Sequence, residues 1–312
     1  MLEVDVVNQW PNRLIGDSFL PKEQRRTRTN IKYTQTAQLY SSGLLGPVQL
    51  MRIRLSASSV IAAPPSEIGS TVSTRKLPLP GESFAVEGRS AFLIPAKIPQ
   101  SDQSKPWVLY APTFPNLPGA EEGWMFKQFQ DAGIGVAGID IGESFGSPHG
   151  RALFSAFYKE MTERRGYSIK PVLLGRSRGG LMTLAWAAEN PEKIAAWVGI
   201  YPVSNIASYP GVSKAASAYN MTAEELVTHL TEHNPIDRLA PLAKARVPFF
   251  AVHGDSDKTV PLEANSKLLE QRYTSLGGSM QLIVVPGQGH NMWKGFFQNQ
   301  ALVDFVKSHA VH

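Results

Sequence analysis

No cysteine occurs anywhere in the 312 residues, so disulfides, thiol nucleophiles and thiolate metal sites are all excluded. No run of 18 apolar residues occurs either, so no segment reads as a membrane-spanning helix. The first twenty residues lack a basic start followed by an apolar core, which leaves no visible signal peptide and a localisation that is either cytoplasmic or open. An excess of charge is also missing from most of the chain. The net charge of +5 arises in residues 1–80, with 10 Lys and Arg against 5 Asp and Glu, while residues 81–312 hold 21 of each. A neutral body gives no footprint for nucleic acid. Arg25, Arg26 and Arg28 stand close together without interleaved aromatics, which reads as a solvated basic extension.

What is present is an ordinary globular composition, 43% hydrophobic and 18% charged, enough for a sizeable core. Residues 62–74 are rich in Ala, Pro, Ser, Thr and Gly, as linkers are, and place a boundary near Lys76. The expected organisation is an extension over residues 1–78 and a catalytic domain over 79–312. From residue 82 the pattern is regular. A hairpin is expected around residues 87–89, and strands over 106–111, 133–141, 171–174, 194–202, 247–253 and 280–285. Helices are expected over 122–132, 151–165, 261–276 and 298–309, with one more after residue 180. Alternating strands and helices imply an α/β fold, a mostly parallel central sheet with helices on both faces. Residues 204–246 form an insertion between two strands, short enough for a small helical cap.

Chemistry concentrates just past the strand ends, where ligands bind in such sheets. Gly175-Arg176-Ser177-Arg178-Gly179 separates an apolar run from a helical one, the setting of a nucleophile elbow. The next strand ends carry His253-Gly254-Asp255-Ser256-Asp257-Lys258-Thr259-Val260 and Gly287-Gln288-Gly289-His290. A serine hydroxyl is a weak nucleophile, an imidazole can take its proton near neutral pH, and a carboxylate fixes the imidazole tautomer. Ser177, an aspartate and His290 therefore form a coherent set. A competing pattern, His229-Leu230-Thr231-Glu232-His233, has two histidines four apart but no evident third ligand, so it reads as a solvated helix face. No metal and no cofactor are expected.

With these three motifs in this order, residues 82–312 resemble the α/β-hydrolases, in the branch that includes prolyl oligopeptidase-like and dienelactone hydrolase-like enzymes. The resemblance implies Ser177 as nucleophile, His290 as base and Asp257, three before the valine of its loop, as the orienting acid. Asp255 would then serve loop hydrogen bonding, and His253 a structural role. It also implies an oxyanion hole from the N–H of Arg178 and an N–H beyond the strand over 106–111. Pro112 has no N–H, so Thr113 is nominated, with Phe114 in reserve. Arg178 also resembles the arginine that follows the serine in glucuronoyl esterases, and pairing with a carboxylate such as Glu143 is the alternative role for its side chain.

Phe114, Tyr201 and Trp293 are candidate substrate contacts, with Tyr209, Phe296 and Phe297 less specific. The implied activity is hydrolysis of small acyl, aryl or carbohydrate esters through an acyl-enzyme. A peptidase is the first alternative, disfavoured by an N-terminal segment too short for a propeller, and a silent binding protein on a hydrolase fold is the second. The expected partner is a small-molecule ester, with neither nucleic acid nor a membrane; the oligomeric state is open.

Overall fold

The computed structural model describes residues 15, 17–25, 75–97 and 105–310. Two units divide the chain, Met1–Ile68 and Gly69–His312. In the first, a 3-10 turn covers Lys22–Gln24 and the Arg25 Nε donates to the Leu20 carbonyl at 2.9 Å. Arg26, Arg28 and the linker-like stretch over 62–74 lie outside the described residues.

The second unit is built on eight strands: β1 Glu82–Val86, β2 Arg89–Ile94, β3 Trp107–Tyr110, β4 Gly135–Ile139, β5 Val172–Arg176, β6 Ala196–Ile200, β7 Phe249–Gly254 and β8 Met280–Val285. They form one sheet in the order β1-β2-β4-β3-β5-β6-β7-β8. β1, β2 and β4 pair antiparallel, and every pair from β4 to β8 is parallel. The hairpin turns at Glu87 and Gly88, both at positive φ (48° and 70°), the geometry whose twist matches that of paired strands.

Side-chain alternation sorts the strands into two cores. Trp107, Leu109, Leu173, Trp197 and Phe249 face one side, with Phe154 and Phe157 of α2 (Pro148–Lys159), Met182 and Trp186 of α3 (Arg178–Glu189) and Tyr273 of α8 (Leu268–Ser275). Val108, Tyr110, Leu174, Val198 and Phe250 face the other, with Phe126 and Phe129 of α1 (Gly123–Asp131) and Val303 and Val306 of α10 (Gln300–Ala310). Helices thus cover both faces, which is why the parallel strands read as unbroken apolar runs.

Between β6 and β7 the insertion folds into four short helices: α4 Val212–Ala215, α5 Ala223–Thr228, α6 Leu230–His233 and α7 Ala240–Lys244. They gather a third cluster, Ile206, Ala215, Tyr219 and Leu226, against Leu181 of α3 and Val260 of the loop after β7. The helix expected over 261–276 is instead a single π turn, Glu263–Lys267, followed by α8. Asn265 in that turn is fully buried: its Oδ1 accepts from the Ser204 N–H at 3.1 Å and its Nδ2 donates to the Pro261 carbonyl at 3.0 Å. A widened turn at such an inward polar side chain is where π geometry commonly falls.

Candidate active site

β5 runs two residues further than its apolar stretch, through Gly175 and Arg176, and α3 starts directly after Ser177. Ser177 therefore carries the whole reversal, at φ 52° and ψ −127°, a backbone region costly for any side chain. Two glycines make the reversal possible. A Cβ on Gly175 would lie 2.5 Å from the Gly180 nitrogen, and one on Gly179 would lie 2.9 Å from the Ala111 carbonyl oxygen. Neither site has room for a methyl group.

The strand remains buried at Arg176 because a partner neutralises it. The Arg176 Nη1 donates to Glu122 Oε1 at 2.7 Å, the Tyr110 hydroxyl donates to the same oxygen at 3.0 Å, and the Gly119 N–H donates to Oε2 at 2.8 Å. Glu122 is 0% exposed. Sequence reasoning missed this pair, since 54 residues separate its members. It ties the strand that leads into Ser177 to the loop after β3. The Arg176 Nη2 also reaches Met292 Sδ at 3.1 Å, two residues past His290.

Around the serine the three motif residues meet. Ser177 Oγ is 2.9 Å from His290 Nε2, and His290 Nδ1 is 2.7 Å from Asp257 Oδ2. The other Asp257 oxygen accepts the N–H groups of Thr259 at 2.9 Å and Val260 at 2.8 Å. Burial pushes the Asp257 carboxyl up, but the nearby His253 ring and the hydrogen bonds from His290 and the Val260 N–H outweigh it and hold the group well below the usual carboxylate range. The carboxylate that faces His290 is thus held in its charged form. Asp255 faces elsewhere: its Oδ1 accepts from the Gly287 N–H at 2.7 Å and from Ser256 Oγ at 2.9 Å, bracing the aspartate loop against the histidine loop.

Thr113 is buried beside the elbow, and among the described residues its N–H has no partner. The Arg178 side chain reaches across to this loop. Its Nη2 donates to the Thr113 carbonyl at 3.0 Å, pairs with Glu143 Oε1 at 2.8 Å, and the guanidinium lies 4.3 Å from the Phe114 ring centre. The structure therefore gives Arg178 the Glu143 partner. Burial raises the Glu143 pKa against the opposing pull of Arg178.

The candidate substrate residues separate. Phe114 and Trp293 are exposed, at 53% and 42%, and Met292, which sequence reasoning did not single out, is 52% exposed between Trp293 and the histidine. Tyr201 differs: it is 1% exposed, with its ring centre 4.4 Å from that of His290 and 5.0 Å from that of Phe296. It supports the histidine and offers no surface to a ligand. Phe296 and Phe297 belong to the core. A cavity of about 800 Å³ between Arg75, Ser90, Asn116 and Asp140 contains none of the three motif residues. The paired histidines of the insertion also diverge. His229 faces Glu232, with Nδ1 3.2 Å from Oε1, while the His233 ring lies 5.0 Å from that of Tyr219. Among the described residues no helix is long and apolar enough to cross a membrane.

Comparison with known proteins agrees with this geometry. Residues 156–310, which hold Ser177, Asp257 and His290, match the model of the prolyl oligopeptidase family. No curated protein matches the sequence. Among solved structures, dipeptidyl peptidase 4 of Porphyromonas gingivalis superposes with a TM-score of 0.60 at 14% identity, over 74% of this chain and 36% of that one. A puromycin-hydrolyzing peptidase of Mycobacterium tuberculosis gives 0.60 at 14% identity, over 79% of this chain and 41% of that one. Est1E from Butyrivibrio proteoclasticus gives 0.54 at 17% identity, over 73% and 96%. The chain thus spans well under half the length of the two peptidases.

Proposed function

We propose that this α/β-hydrolase, a serine hydrolase with a match to the prolyl oligopeptidase family, cleaves carboxylic esters through an acyl-enzyme. The observation that carries the reading is the continuous chain from Ser177 Oγ through His290 to Asp257 at 2.9 and 2.7 Å. His290 Nε2 takes the serine proton as Oγ bonds to the carbonyl carbon, and the carbonyl oxygen becomes an oxyanion. The N–H groups of Arg178, at the free start of α3, and of Thr113 receive that charge; one such donor contributes about 10²–10³ in rate. The tetrahedral species collapses, His290 returns its proton to the departing alkoxide, and the alcohol leaves Ser177 acylated. Water then attacks with the same proton transfers in reverse order, releasing the carboxylic acid and the serine.

The rim supports an ester of a small or aromatic acyl group. Its exposed side chains, Phe114, Met292 and Trp293, carry no charge, and the arginines beside the serine are already paired, Arg176 with Glu122 and Arg178 with Glu143. An apolar ring is well received by such a surface. A peptide needs its termini or its backbone held, and the three exposed rim side chains, Phe114, Met292 and Trp293, offer it no charge. The peptidase reading draws its support from the family match.

A series of p-nitrophenyl esters from acetate to palmitate, with methyl ferulate, acetylated sugars and peptide p-nitroanilides, separates the two. Turnover concentrated on short or aromatic acyl esters, and lost in Ser177→Ala, is the expected outcome. Anilides cleaved as fast as the esters would move the protein to the peptidases.

A further inference from the structure

One histidine beside the site is left without a task by the mechanism above. His253, at the end of β7, is 0% exposed. Its Nε2 is 2.9 Å from the Val260 carbonyl oxygen and 3.4 Å from Asp257 Oδ2. Its Nδ1 is 2.8 Å from Ser266 Oγ. A carbonyl oxygen only accepts, so Nε2 carries the hydrogen, and Nδ1 in the neutral ring accepts from the serine hydroxyl. The one N–H is therefore donated to the Val260 carbonyl, and the same nitrogen lies 3.4 Å from the carboxylate oxygen that faces His290.

We propose that His253 is a positioning residue for the hydrolytic reaction: its Nε2–H fixes the Val260 carbonyl, and its ring edge lies against Asp257 Oδ2, so that the carboxylate keeps the one orientation that serves His290. The inference rests on the reading of Ser177, His290 and Asp257 as the catalytic set. It extends that set to five linked side chains: Ser177, His290, Asp257, His253 and Ser266.

Three observations carry it. Asp257 is a buried carboxylate, 5% exposed, and no lysine or arginine is among its partners in the described residues. Among the described residues its charge is met by two backbone N–H groups, by His290 Nδ1 at 2.7 Å and by the edge of the His253 ring at 3.4 Å, so each of these matters more than it would in water. The two backbone donors both hold Oδ1. Oδ2 alone is left to the imidazoles, and with His253 removed its direction would depend on His290, the group that must be directed. Finally, Val260 joins both arms, because its N–H holds Oδ1 and its carbonyl takes the His253 proton. A displacement of this carboxylate by a fraction of an ångström turns the His290 ring away from Ser177, and errors near 1 Å at a reacting group cost up to about 10² in rate.

The test compares two amide side chains of different reach. In His253→Gln the amide nitrogen can take the place of Nε2, donating to the Val260 carbonyl beside Asp257. In His253→Asn the shorter side chain stays beside Ser266 and falls short of both the carbonyl and the carboxylate. With p-nitrophenyl acetate, His253→Asn is expected to lose about tenfold or more in kcat with KM unchanged, and His253→Gln to recover most of it. Labelling of Ser177 by a fluorophosphonate should fall in parallel, and thermal unfolding shows that each variant is folded. The inference is overturned if His253→Asn keeps kcat within about twofold of wild type. It is equally overturned if both amides lose kcat to the same extent, since filling the site would then be all that His253 does. Should His253→Asn fail to fold, His253→Met supplies the variant without a donor for the same comparison with Gln. Failure of the parent reading looks different: the wild-type protein itself would neither hydrolyse the ester nor take the label.

Discussion

Asp255 and Asp257 sit two apart in one loop, and their hydrogen bonds give them different work. Asp257 faces His290 at 2.7 Å, while Asp255 accepts from the Gly287 N–H at 2.7 Å. Asp257→Asn is expected to lower kcat by about 10⁴, the effect of turning the imidazole to the wrong tautomer. Asp255→Asn should leave kcat within about tenfold and reduce stability by about 1 kcal/mol, the scale of one lost loop hydrogen bond. Steady-state kinetics and denaturant unfolding of the two variants check both. A larger kcat loss at Asp255 would exchange the roles. Ser177 and His290 were legible in the sequence, because each follows a strand end in a local pattern of its own, whereas the choice of Asp257 over Asp255 came from the family resemblance and not from the pattern. His253 was legible only as a structural histidine, since its contact with Asp257 depends on how the loop over 254–260 folds back.

Elements show the same division. Hairpin, alternating strands and their helices followed from periodicity, and at two elements the limits differed because a buried polar residue kept the element going or widened it. β5 extends through Arg176 because Glu122 neutralises it, and the helix after Pro261 opens with a π turn around Asn265. Neither partner is close in sequence, so no local pattern announces them. The Arg176–Glu122 pair is 9% and 0% exposed, and removing one member strands a buried charge. Arg176→Met alone is expected to cost about 3–5 kcal/mol. Adding Glu122→Gln should restore part of that, leaving the double variant more stable than the sum of the single effects, as denaturant titration of the four proteins would show. Additive losses would mean that the two groups do not interact.

The insertion carries an acid sensitivity of its own. Burial lowers the His233 pKa from 6.5, Arg151 lowers it further, with smaller help from Arg238 and His229, and Glu232 opposes them. Below its ordinary pKa the unfolded chain takes up the proton first, so this contribution is whole above 6.5 and declines as pH falls toward the lowered folded value. The wild type should therefore lose more of its Tm between about pH 7.5 and about pH 5.5 than His233→Gln does, as a calorimetric pH series can establish. Equal losses would remove His233 as the cause.

At the scale of the molecule, one eight-stranded sheet with helices on both faces places Ser177 after β5, Asp257 after β7 and His290 after β8, all at the same edge. That edge is where parallel strands end and helix N-termini begin, so free N–H groups and side chains from distant parts of the chain converge there. Sequence order of the motifs sufficed to place them at this edge, because parallel strands share a direction. The pairing of Arg178 with Glu143, the burial of Tyr201 and the exposure of Met292 depend on loop paths that periodicity does not encode.

The central claim is that Ser177 is a nucleophile activated by His290. Mass spectrometry of the protein after treatment with a fluorophosphonate tests it most directly. One adduct per chain on the peptide containing Ser177, abolished in His290→Ala while the variant stays folded, is the predicted result. Labelling that survives loss of His290 unchanged, or a folded wild-type protein that takes no label, would contradict it.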